Sequence, residues 1–235
     1  MYKIHLGRYQ PPPGPPPVLP PAVGEIDLPN PSDGGFTTKV APPPGKAVTG
    51  RELALLRQIQ DGFRTPAGNA WSHHMDFRGS TTLWLKPARD MRANLGFIKG
   101  WAGTGAMVAA QVAALPVGLL AERKHKRDRP YMVDPTLKPV AQYPPTSSYP
   151  SGHVRQAYAS ARVVARFDPS QADAAYGLAR QVADSRLYSA AHYPSDVTAG
   201  AKLGVAVADK TMHALKRAPI AAALVGAALV ADAHT

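Results

Sequence analysis

Apolar residues recur along this chain at helical rather than strand spacing. Leu53, Leu56 and Phe63, with Ile59 beside them, mark one face of a predicted helix. Val154, Ala157, Tyr158, Ala161 and Val164 form a second stripe after Gly152. Val197, Val205, Ala208, Met212 and Leu215 form a third, on a long helix predicted to begin at Ser195-Asp196. Within it Gly200 and Gly204 stand one turn apart, the spacing for close helix contact. Another helix is predicted from Gln171 to about Ser185, after Asp168-Pro169, an N-cap residue followed by proline. Thr49-Gly50-Arg51-Glu52 reads as a capping box. Residues 64–80 and Pro130–Ser148 lack periodicity and read as loops. Alternating β-branched runs are rare, so the prediction is all-α: a single-domain helical bundle over residues 49–235.

Two stretches depart from this pattern. Trp101–Ala121 is 21 residues without a charge, long enough to cross a bilayer. Gln111, Pro116 and many small residues weaken it, and the only other apolar run, Ala218–Ala231, is short and alanine-rich. The expectation is a buried core helix and no stable membrane span, with Arg129 just past the helix end. Residues 1–48 hold 13 prolines between Pro11 and Pro44 and are predicted to form an extended arm, partly packed on the core.

Composition narrows the function classes. A chain of 235 residues without cysteine has no disulfide framework and no thiol chemistry. The net charge is +11, densest over Arg123–Arg129, with no interleaved aromatics. This favours an electrostatic funnel for phosphorylated small molecules over a dedicated nucleic-acid partner. His73-His74 are adjacent and do not share a helix face, so they read as surface or capping residues rather than metal ligands. Met1–His5 carries no apolar signal core.

Candidate chemistry lies in three blocks: Arg129-Pro130; Pro150-Ser151-Gly152-His153; and Ser185-Arg186 followed by His192 and Asp196. Arginine forks match phosphate oxygens in pairs. One histidine can be a nucleophile and another a proton donor. A carboxylate one turn from a histidine can fix its tautomer.

With this order and spacing, Pro-Ser-Gly-His and Ser-Arg-x5-His-x3-Asp resemble the type 2 phosphatidic acid phosphatase and vanadium haloperoxidase superfamily. The chain looks most like its soluble class A bacterial acid phosphatases, through Ser148–His153, Asp168–Gln171 and the arm segment Leu19–Gly24. The resemblance implies a metal-independent phosphomonoesterase. His192 would attack phosphorus and form a phosphohistidine, with Asp196 accepting the proton of its other ring nitrogen. His153 would serve the leaving group, and Arg129, Ser151, Gly152 and Arg186 would hold the phosphate. It implies no cofactor, with vanadate binding as a phosphate mimic, and allows phosphotransfer to an alcohol. It also implies export to the periplasm, although these residues suit a cytoplasmic protein equally. The alanine-rich C-terminal segment leaves homo-oligomerisation open.

One position departs from the family pattern, Lys-x6-Arg-Pro, whose lysine sits on the phosphate. Seven residues before Arg129 stands Glu122. Arg123, Lys124 and Lys126 are all candidates for the vacant role. The departure keeps alive two alternatives, a vanadate-dependent haloperoxidase and a phosphate- or polyanion-binding protein without turnover. A membrane lipid-phosphate phosphatase is disfavoured by the missing spans.

Overall fold

The computed structural model describes residues 11–78 and 82–217. The run Ala218–Ala231 lies outside them. Among the described residues there are helices and no strands. Helices α1 (Pro21–Gly24), α2 (Lys46–Phe63), α3 (Pro66–Arg78), α4 (Leu85–His125), α5 (Pro130–Val133), α6 (Gly152–Phe167), α7 (Ala172–Tyr188) and α8 (Pro194–Arg217) follow in order.

The bundle is built around α6, which packs on α4, α7 and α8. Its stripe Val154, Ala157, Tyr158, Ala161 and Val164 is buried to 1% exposure or less. Each large apolar side chain so buried contributes about 1.5–3 kcal/mol. On α8 the two glycines set the interhelix distance. A Cβ at Gly200 would stand 2.5 Å from the Ser151 carbonyl oxygen, and one at Gly204 2.2 Å from that of Arg155. The start of α6, where Ser151-Gly152 lie, is thereby pressed against the start of α8, where Asp196 lies.

Three local readings are corrected. α2 begins at Lys46 with Gly45 as its N-cap, so Thr49 and Glu52 do not form a capping box. They turn instead to Arg127. Residues 66–78 are helix rather than loop. Thr65 opens α3, its hydroxyl accepting the Gly68 N–H at 3.0 Å, with Pro66 at the first helical position. Trp71, Ser72 and Met75 are buried, while His73 is exposed. α4 is two-faced rather than buried all round. Ala106, Met107, Ala110 and Ala114 face the core, whereas Phe97, Ile98, Val112, Leu115, Leu119 and Leu120 are exposed. By length and composition this is the one helix among the described residues apolar enough to cross a bilayer. Gly96 kinks it with φ 74°, a left-handed conformation that favours glycine.

The described part of the arm lies along the bundle. Val23 is buried, and Leu19, Ile26, Leu28 and Phe36 pack on the core. Arg162 donates to the Pro31 carbonyl and Tyr149 to that of Ala41.

Candidate active site

The second and third sequence blocks converge where α6 and α8 begin and α7 ends. Arg186 lies in the last turn of α7 and is 1% exposed. The chain then folds back on itself. Ala190 adopts φ 55°, and the N–H groups of Ala191 and His192 both donate to the Arg186 carbonyl. This turn places the His192 ring beside Arg129, which caps the N-terminus of α5. Arg129 Nη1 lies 3.4 Å from His192 Nε2 and also donates to the Ala191 carbonyl. Its Nη2 donates to the Thr146 hydroxyl at 3.2 Å.

Two contacts assign the tautomer of His192. Its Nδ1 is 2.7 Å from the Ser148 carbonyl oxygen, which can only accept. Nδ1 therefore carries the proton, and Nε2 presents a lone pair toward Arg129, which can only donate. Burial, then Arg129 and Arg186, push His192 well below its ordinary value, so the ring is neutral at working pH. The group that orients His192 is thus a backbone carbonyl rather than Asp196, as the spacing suggested. Asp196 Oδ2 stands 3.5 Å from Nδ1, too long for a strong hydrogen bond.

Asp196 works one layer out. It is fully buried, accepts the Tyr193 N–H at 2.9 Å, and pairs with Arg127 at 2.6 Å. Arg127 also binds Glu52 at 2.8 Å and the Thr49 and Ser195 hydroxyls, and its guanidinium lies 3.7 Å from the centre of the Tyr193 ring. Glu52 in turn accepts the Ser195 N–H. Burial raises the Asp196 carboxyl to about 6 despite Arg127. Arg127 is itself held above its usual value, because Asp196 and Glu52 outweigh its own burial.

His153, in the first turn of α6, faces Asp76 with Nε2 3.5 Å from Oδ1. Asp76 also pairs with Arg186. Burial and then Arg186 lower His153 to about 3, while Asp76 opposes them. Burial alone would raise Asp76, but Arg186 and then His153 hold it below its ordinary value. Without an oxyanion in the site, His153 is therefore neutral. Ser151 makes no cap hydrogen bond to α6, and its buried Oγ has no partner.

Arg129, Ser151, Gly152, His153, Arg186, His192 and Asp196 thus share one site. Sequence reasoning missed Asp76, the Ser148 carbonyl and the Arg127–Glu52 pair. Thr65-Pro66, a cap followed by a helix-opening proline, was the available signal for α3 and hence for Asp76. Nothing in the sequence points to the Ser148 carbonyl. Of the candidates for the vacant cation, Arg123, Lys124 and Lys126 are all exposed. α4 ends at His125 and Lys126 turns left-handed at φ 43°, so Lys126 shares no helix face with Arg129. Glu122 pairs instead with Arg155, at 3.5 Å.

Comparison with known proteins identifies the fold and its family. No curated protein matches the sequence. Among solved structures, the chain is similar to a transmembrane PAP2-type phosphatidylglycerolphosphate phosphatase from Bacillus subtilis. That match has 18% identity over 74% of this chain and 88% of the other, with a TM-score of 0.55. It is also similar to a bacterial vanadium-dependent iodoperoxidase, at 22% identity over 77% of this chain and 54% of the other, TM-score 0.61. Aquifex aeolicus LpxE matches at 20% identity over 68% of this chain and 94% of the other, TM-score 0.53. At these identities the likeness is one of fold. The family model described as PAP2 superfamily matches residues 101–219, just over half of the chain and the span from Arg129 to Asp196. The chain belongs to the PAP2 superfamily.

Proposed function

We propose that this protein is a phosphomonoester hydrolase of the acid phosphatase type, acting through a phosphohistidine on His192. The observation that carries the reading is the His192 tautomer: proton on Nδ1 against Ser148, lone pair on Nε2 beside an arginine. In the first step Nε2 forms a bond to phosphorus while the bond to the leaving oxygen breaks. The departing alkoxide takes a proton from His153, and Arg129 and Arg186 hold the equatorial oxygens. In the second step His153 takes a proton from water, whose oxygen displaces Nε2 and releases phosphate. Replacing water by an alcohol gives phosphotransfer. The bound dianion itself prepares His153, because negative charge beside the ring favours the imidazolium that burial and then Arg186 suppress in the free site. Charge stabilisation comes from arginine, so turnover is expected to survive a chelator, and orthovanadate to inhibit as a phosphate mimic.

The test is release of phosphate from p-nitrophenyl phosphate at mildly acid pH with chelator present. Wild type should turn over and yield a phosphorylated protein trapped at short times. His192→Ala should do neither. Absence of turnover in the wild type, with halide oxidation appearing on addition of vanadate and peroxide, would move the assignment to a haloperoxidase.

A further inference from the structure

We propose that Arg155 is a third phosphate-binding cation of this site, held in place by Glu122; the proposal deepens the phosphatase reading and rests on it. Arg155 lies on α6 one turn beyond the Ser151-Gly152 cradle, its N–H donating to the Ser151 carbonyl at 3.1 Å. Its side chain is 4% exposed. The guanidinium sits in a hollow that Gly118 of α4 leaves open. A Cβ at Gly118 would stand 1.6 Å from Nη1 and 1.8 Å from Cζ. Nη1 faces Glu122 at 3.5 Å. Nη2 turns back toward the cradle, 3.7 Å from where a Cβ of Gly152 would be.

Two buried donors here are unspent. Arg155 Nε and Ser151 Oγ have no hydrogen-bond partner, the one three residues after Gly152 and the other just before it. Buried donors are seldom left without an acceptor. α6 is a 16-residue helix, so the N–H groups of its first turn point the same way and its dipole favours an anion there. An oxyanion at the start of α6 would offer an acceptor to the Ser151 hydroxyl and to the Arg155 guanidinium, whose Nη2 is turned to Gly152. An arginine present only for packing would spend its donors on protein acceptors, or would be replaced by an apolar side chain.

Glu122 also acquires a role. Burial raises the Glu122 carboxyl above its ordinary value, while Arg155 and then Arg129 oppose that rise, so its charge is answered by cations of this site. It positions Arg155 and offsets one of the site's positive charges. Arg155 thereby fills the role left vacant at position 122, from a different helix.

Calorimetric titration of inorganic phosphate tests this on wild type, Arg155→Gln, Glu122→Gln and the exchange Glu122→Lys/Arg155→Gln, each checked by thermal melting. Arg155→Gln should bind phosphate about 10- to 100-fold more weakly, the range for losing a charged hydrogen-bond donor. Glu122→Gln keeps an acceptor for Arg155 and removes the opposing charge, so it should bind phosphate more tightly, and the exchange should recover part of the loss. Arg155→Gln that melts like wild type and binds phosphate equally well overturns the proposal. If that variant does not fold, unchanged or weaker binding by Glu122→Gln overturns it. Arg155-dependent phosphate binding without hydrolysis would retain the Arg155 assignment and end the phosphatase reading. Hydrolysis with Arg155-independent binding would do the reverse. A wild type that binds no phosphate defeats both.

Discussion

Arg127 ties α2 and the start of α8 together beside the site, and replacing it by methionine tests that role directly. Its guanidinium is 9% exposed and faces two carboxylates that are themselves buried, Asp196 at 2.6 Å and Glu52 at 2.8 Å. Methionine fills similar space but leaves both carboxylates without their cation. Breaking a buried pair by removing one partner costs about 3–5 kcal/mol. For a chain of this size that corresponds to roughly 6–20 °C in Tm. The pH dependence identifies the cause. Asp196 is already raised to about 6. Loss of Arg127 raises it further, leaving burial and the nearby His192 and Tyr193 as its surroundings. The native variant then takes up a proton on Asp196 as pH falls, which relieves the unpaired charge. The destabilisation should be largest near pH 8 and shrink toward pH 5. A Glu52→Gln background, which keeps an acceptor for the Ser195 N–H, isolates the Asp196 contribution. Urea melts of the four proteins at pH 8 and pH 5 measure both effects. A loss below about 1 kcal/mol at pH 8 would refute the buried-pair argument. An equal loss at both pH values would refute the part assigned to Asp196.

Other outcomes follow from the same geometry. Asp76→Asn should lower KM for p-nitrophenyl phosphate by releasing Arg186, and shift the alkaline limb of kcat to lower pH. Asp76 is the group that raises His153, against burial, Arg186 and His192; steady-state pH profiles of both enzymes check this. Gly204→Ala should cost roughly 1–3 kcal/mol by forcing α6 from α8, because the added carbon meets the Arg155 carbonyl oxygen at 2.2 Å. Gly177→Ala, on exposed α7 surface with nothing within 4 Å, should instead stabilise by about 0.5–1 kcal/mol; thermal melts compare the two. His192 and His153 both titrate below 6.5 in the fold, so the unfolded chain binds more protons below that value and stability falls as pH drops from 6.5. Asp196, raised, acts in the opposite sense between about 6 and 3.8. The denaturation midpoint should decline with acid, and less steeply in His192→Gln.

The sequence by itself determined the helical class and the core faces of α6 and α8, properties of period carried by residues near one another in the chain. Which histidines and arginines share the site was implied by the resemblance of the three blocks and not by their spacing alone. Gly200 and Gly204 already announced a close helix contact, and Ser-Arg-x5-His-x3-Asp already placed His192 one short turn from Arg186. The tertiary structure alone decided what each charged group answers to. Asp76 comes to Arg186 across 110 residues, Glu52 to Arg127 across 75, and the Ser148 carbonyl to His192 across 44. The one-turn spacing of His192 and Asp196 suggests that they pair, yet a nearer carbonyl takes the ring proton and a buried arginine takes the carboxylate. The local departure at Glu122 is met from another helix by Arg155. Charge pairing acts through space and is settled by burial, which local spacing does not encode.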